Sequence, residues 1–113
     1  MTRLGAIVLT FALVAAGADK KIPPWEKPIR TGRSLFLENC SVCHDVDKAD
    51  SKKIGPSLFR LWQNEQLPYL KLKPTKQNVV AKIKTGSFIM PSFRNALKDR
   101  EIELILEYIR TKR

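Results

Sequence analysis

The chain contains two cysteines and one histidine, and all three fall within five consecutive positions, Cys40-Ser41-Val42-Cys43-His44. No other stretch of the 113 residues constrains the fold as tightly. A domain of this length buries a limited apolar area and commonly needs a disulfide, a metal or another staple. This run is the candidate.

Two cysteines two residues apart admit four chemistries. A disulfide would close a very small loop and leave His44 unexplained. A thioredoxin-like redox pair wants a strand feeding a helix N-terminus, whereas the local pattern places these cysteines at the end of a helix. Zinc needs about four ligands; the run offers three, and Asp45 and Asp47 could supplement them only awkwardly. Covalent c-type haem uses all three residues, because thiols one helical turn apart reach the two vinyl groups and the adjacent histidine lies under the iron. The spacing favours haem, with zinc and thiol chemistry as the alternatives.

The first 18 residues, MTRLGAIVLTFALVAAGA, read as a secretory signal peptide: Arg3, an apolar run from Leu4, and the small-residue ending Ala16-Gly17-Ala18, with cleavage expected after Ala18. A retained membrane anchor is the alternative, although the run is shorter than the roughly 20 residues that span a bilayer. Export fits the usual requirement that c-type haem be attached outside the cytoplasm, so a periplasmic location is expected. Cleavage would leave residues 19–113 with 20 Lys and Arg against 11 Asp and Glu, a formal charge of +9.

Along that mature chain the patterns are helical. Residues 19–27, with their prolines, read as an irregular arm, since proline fixes the backbone and removes a donor, and 28–113 read as one domain. Leu35, Phe36, Asn39, Cys40 and Cys43 share a face at helical spacing, which predicts a helix from Pro28 or Thr31 to Cys43. Gly32 inside it costs about 1 kcal/mol relative to alanine and needs a reason such as close packing. The segment from Asp45 to Pro74 reads as loop with one or two helical turns near Leu58–Trp62. Thr75 caps a second helix ending at Thr85 before Gly86. The stretch from Lys98 to the end has Ile102, Ile105, Leu106 and Ile109 on one side, with acids early and bases late as the helix dipole prefers. No stretch alternates like a strand, so the fold class is all-α.

These residues together resemble the class I cytochromes c, from about Pro28 to Arg110. Gly32 and Phe36 match the glycine and aromatic of that family's N-terminal helix, and Ile105 and Tyr108 match positions of its C-terminal helix. The resemblance implies three to four helices wrapped around one covalently attached haem c, with the terminal helices crossing at Gly32 and Phe36 against Tyr108. It also implies that the Pro56 carbonyl, in Gly55-Pro56 with Leu58 following, accepts a hydrogen bond from the outer ring nitrogen of His44 and orients it.

The sixth iron ligand would come from elsewhere. Residues 19–113 hold one methionine, Met90, and its setting, TGSFIMPSF, resembles the family's methionine loop. Met90 is therefore the expected ligand, with an unspecified lysine as the alternative. Expected pocket residues are Leu58, Trp62, Leu67, Tyr69, Val80, Ile83, Phe88, Phe93 and Leu97, with Trp62 and Tyr69 also able to donate to a haem propionate. The stretch LWQNEQLPYLKLKP matches no motif of the mitochondrial members, which leaves the propionate partners open.

A His/Met iron is six-coordinate and suits electron transfer more than catalysis. The resulting expectation is a monomeric exported electron carrier, not an enzyme, working between a redox donor and an acceptor such as a dehydrogenase and a terminal oxidase. The alternative is a haem protein with a labile sixth position that acts on peroxide or senses a gas. With two haem propionates the charge falls to roughly +7, which steers association with acidic redox partners. Lys71, Lys73, Lys76, Lys82 and Lys84 crowd the approach to Met90. No nucleic-acid motif accompanies the charge.

Overall fold

In the computed structural model the described residues are 21–113; the expected leader, 1–18, and the first two residues of the arm lie outside them. They form three helices, α1 (Glu26–Asn39), α2 (Lys76–Thr85) and α3 (Asp99–Arg110), and a single 3₁₀ turn at Leu61–Gln63. No strand occurs among the described residues, and no helix there is long and apolar enough to cross a membrane.

α1 departs from expectation at both ends. It begins at Glu26, inside the stretch expected to be irregular, and it ends at Asn39, with Cys40 as C-cap. Pro28 is tolerated because it sits in the first turn, where amide hydrogens have no intrahelical partner anyway. Glu26 also pairs with Arg30 one turn on, at 2.6 Å. The expected irregular arm therefore stops at Trp25.

The other two helices start where the sequence places them. The Thr75 hydroxyl accepts from the Asn78 amide, capping α2, and Gly86 closes it at φ +69°, in the left-handed region that glycine reaches without strain. The Glu101 carboxylate accepts from the Lys98 amide at the start of α3, and Asp99 and Glu101 set negative charge against the dipole's positive end.

α1 and α3 cross at Gly32. A Cβ built there would lie 2.0 Å from the Leu104 carbonyl oxygen and 3.1 Å from Cβ of Tyr108, so two backbones are in direct contact and only glycine fits. One turn on, Phe36 meets Tyr108 with ring centroids 5.5 Å apart at 56°, a tilted pair that adds about 0.5–1.5 kcal/mol beyond area burial. Phe36, Ile102 and Ile105 are each 1% exposed and form the centre of the core. Each stabilises the fold by about 1.5–3 kcal/mol relative to exposure. This crossing anchors the end of α1, and so the cysteine run, on a rigid base.

Candidate functional site

Beyond α1 the chain tightens into a turn. The Cys40 and Ser41 amides both donate to the Phe36 carbonyl, at 2.8 and 3.0 Å, and the Cys43 and His44 amides both donate to the Cys40 carbonyl, at 3.1 and 2.9 Å. Cys40, Cys43 and His44 are thus presented by a tight turn, where a continuation of α1 was expected. Both thiols are free. Burial first, and the neighbouring Cys43 second, push the Cys40 thiol up to about 11.

His44 is held from two sides by the segment 55–58. Its Nδ1 lies 2.7 Å from the Pro56 carbonyl, and since a carbonyl can only accept, Nδ1 carries the proton and Nε2 keeps its lone pair for a metal. Gly55 backs onto the same ring: a Cβ there would lie 2.6 Å from both Cε1 of His44 and the Cys43 carbonyl oxygen. Two backbone hydrogen bonds fasten the segment down, Gly55 N to Cys43 O and Leu58 N to Asp45 O, each 2.8 Å. Asp45 is held below the usual carboxylate range by hydrogen bonding, chiefly from Ser51 and then from Lys53, with the Lys53 and Lys48 charges adding to it.

Met90 sits in a second tight turn. The Ser87 amide donates to the Met90 carbonyl at 2.8 Å, and the Met90 amide donates back to the Ser87 hydroxyl at 3.2 Å. Gly86 permits this, because a Cβ there would lie 2.5 Å from the Met90 carbonyl oxygen. The Phe93 amide then bonds the Ile83 carbonyl at 3.0 Å, tying the loop to α2.

Both turns open onto one cleft of about 470 Å³, lined by Cys40, Cys43, His44, Pro56 and Met90 and walled by apolar side chains. Of the expected pocket residues, Leu58, Leu67, Tyr69, Ile83 and Phe93 line it. Four do not. Trp62 follows Leu61 in the 3₁₀ turn; Leu61 takes the cleft side, and Trp62 lies under the Arg110 guanidinium, 4.3 Å from the ring centroid. Val80 lies in a groove between α2 and α3, beside Lys76 and Glu103. Leu97 is buried in the core without reaching the cleft. Phe88 stands fully exposed at the tip of the Ser87–Met90 turn. The buried Trp62 Nε1 has no hydrogen-bond partner.

Sequence reasoning missed Val42, Ile54, Leu61, Val79, Ile89, Ile105 and Ile109, all on the cleft. A signal existed for several: Ile54 directly precedes Gly55-Pro56, Ile89 directly precedes Met90, and Ile105 and Ile109 continue the apolar face of α3. Val42, Ile54, Tyr69 and Ile89 are 69–91% exposed at the cleft, an amount of apolar surface that usually marks a binding site.

The donor set decides between the chemistries left open by the spacing. Among the described residues no group of three or more His, Cys, Asp or Glu side chains is arranged to hold a metal ion, so CSVCH has no zinc-like cage around it. An apolar cleft with two thiols and one Nε2 lone pair fits a flat apolar macrocycle that supplies its own four nitrogen ligands. Fold and site define an all-helical c-type haem protein of the class I kind with one covalent haem c, and Cys40 and Cys43 fit its attachment site.

The chain belongs to the family described as cytochrome C oxidase, cbb3-type, subunit III, whose model matches residues 27–109. It is also similar to a cytochrome c of Gibberella zeae, with 47% identity over 34 residues, 30% of this chain and 32% of the fungal protein. The match thus spans about a third of that relative's length. Among solved structures it resembles cytochrome c6 from the diatom Phaeodactylum tricornutum, with a TM-score of 0.55 and 27% identity over 72% of this chain and 88% of the diatom chain.

Proposed function

We propose that the chain is an exported one-electron carrier in which His44 and Met90 are the two axial ligands of the haem iron. One observation carries this reading: His44, with its Nδ1 committed to Pro56, and Met90, the one methionine of residues 19–113, line the same apolar cleft. When bound, haem c supplies a one-electron couple, whose potential a soft thioether ligand raises by favouring the ferrous state.

The chain's own residues account for the rest. Pro56 and Gly55 fix the ring plane of His44, so the ligand needs no reorientation between oxidation states. The Gly86–Met90 turn fixes the backbone from which the Met90 thioether projects. Leu58, Leu67, Ile83 and Phe93 line the cleft with apolar surface, which would exclude water around a bound haem and favour transfer of an electron over entry of substrate.

The partner would be an acidic redox protein, met by a strongly basic surface in a fast, salt-sensitive encounter. The lysines differ in what they can offer. Lys76 and Lys84 are paired with Glu103 and Asp99, at 2.9 and 2.6 Å, whereas Lys71 and Lys73 make no ion pair among the described residues. Lys82 lines the cleft itself. The family's description names an oxidase subunit, which accords with an oxidase as acceptor. The carrier is expected to be a monomer without a membrane anchor once cleaved after Ala18, and N-terminal sequencing of the periplasmic protein checks that.

Redox titration of the purified holoprotein tests the function. A reversible one-electron transition, with no turnover of peroxide, is the expected outcome. Peroxide turnover or gas binding by the untreated protein would instead identify an open sixth position.

A further inference from the structure

We infer that Lys53 is a positioning residue for His44. Its ammonium donates to the Ser41 carbonyl and, at 3.4 Å, to the His44 carbonyl, and it pairs with the Asp45 carboxylate at 3.3 Å. A lysine ammonium has three donors, and here three acceptors converge on it.

Two of those acceptors are carbonyls the backbone leaves over. Past the end of α1 the turn uses the carbonyls of Phe36, Cys40 and Cys43 as acceptors, and among the described residues no backbone amide is given to the Ser41 or His44 carbonyl. Lysine near a helix C-terminus satisfies such carbonyls and complements their partial negative charge. Lys53 does so from the far side of a loop, two residues before Gly55. Its contacts therefore close the 45–53 loop and bring Gly55 and Pro56 to the position where one backs the imidazole and the other accepts from Nδ1. Removing the ammonium leaves the Pro56 hydrogen bond in place but unbraced.

This inference rests on His44 as the iron's ligand and is independent of Met90. The test compares Lys53→Met with Lys52→Met, which removes the same charge one residue away from an exposed side chain outside the clamp. Two quantities are read in the ¹⁵N-labelled holoprotein: exchange of the His44 Nδ1 proton with solvent, and reduction potential. Loss of a charge-assisted bond is expected to speed exchange about tenfold in Lys53→Met, with a lower potential than in Lys52→Met, while Lys52→Met exchanges like the wild type. Lys53→Arg is expected to restore both, and Lys53→Gln replaces Lys53→Met if that variant does not fold. Equal exchange and equal potential in the position-53 and position-52 variants would overturn the proposal. A wild-type chain that carries no haem would overturn the haem reading and this proposal with it, whereas haem bound at His44 with equal exchange and potential in the two variants would overturn the proposal alone.

Discussion

At the crossing of α1 and α3 the chain completes its own packing: Gly32 touches the Leu104 backbone and Phe36 meets Tyr108. Across the cleft the opposite holds. Val42, Ile54, Tyr69 and Ile89 stand 69–91% exposed around free thiols, and the backbone takes left-handed conformations at Arg60, φ +54°, and Tyr69, φ +61°. One half of this small domain is a finished core, while the other is an apolar wall that lines the cleft. The difference explains how so short a chain folds around a single group: the crossing fixes the turn that carries Cys40, Cys43 and His44, and the cofactor supplies the missing half of the interior.

The largest expected effect is at the crossing. Gly32→Ala puts a methyl group into the Leu104 carbonyl and is expected to destabilise the holoprotein by about 3 kcal/mol or more, through overpacking that neither backbone can relieve. Denaturant unfolding followed by circular dichroism measures it; an unchanged midpoint would mean the helices do not meet there. Next comes the boundary between the two halves. Gly55→Ala drives a methyl group against His44 and is expected to cost about 1–3 kcal/mol. It should also shift the reduction potential, which Gly32→Ala should leave close to wild type if it folds. Equal effects on potential would erase the distinction between core and site.

The two halves also differ in how far the sequence betrays them. The α3 face and the Thr75 cap follow from spacing and side-chain chemistry, because a regular helix repeats its environment. Gly32 stands out as a glycine in a helical run, and its reason becomes geometric once Leu104 lies against it. The cleft wall follows no period. Trp62 and Phe88 look like pocket residues by type, yet a 3₁₀ turn sends the first under Arg110 and a tight turn sends the second into solvent. The end of α1 shows the same limit: Cys40 and Cys43 fit the helical repeat, but the chain tightens into a turn there, and side-chain spacing of one turn cannot tell the two apart.

Smaller effects refine the comparison. Tyr69 holds a left-handed backbone while 91% exposed, so Tyr69→Gly relieves about 1 kcal/mol of strain and loses little packing in the chain itself. Packing of the ring on the bound haem outweighs that gain, so the expected result is a holoprotein thermal midpoint below wild type; an equal or higher midpoint would take Tyr69 out of the cleft wall. The smallest effect concerns acid. Lys84 holds the Asp99 carboxyl below its ordinary value, and Lys76, then Arg100, does so for Glu103. A carboxylate lowered in the folded state stabilises it above the unfolded pKa, about 4, and that contribution disappears as pH falls through the lower folded value. Both groups are exposed, so the term is small and salt-sensitive. Acid titration of Lys76→Met/Lys84→Met should show a slightly weaker stability loss below pH ~4 than wild type, and an identical profile would remove these pairs from the account.

The function proposed for the cleft turns on His44 and Met90 together ligating a covalently held haem iron. The most direct test is the absorption spectrum of the oxidised holoprotein, wild type beside Met90→Ala. The wild type is expected to show low-spin c-type bands with a weak near-infrared sulfur-to-iron band, and the variant to lose that band and fall in potential. A Met90→Ala protein with the wild-type spectrum and potential would contradict the claim.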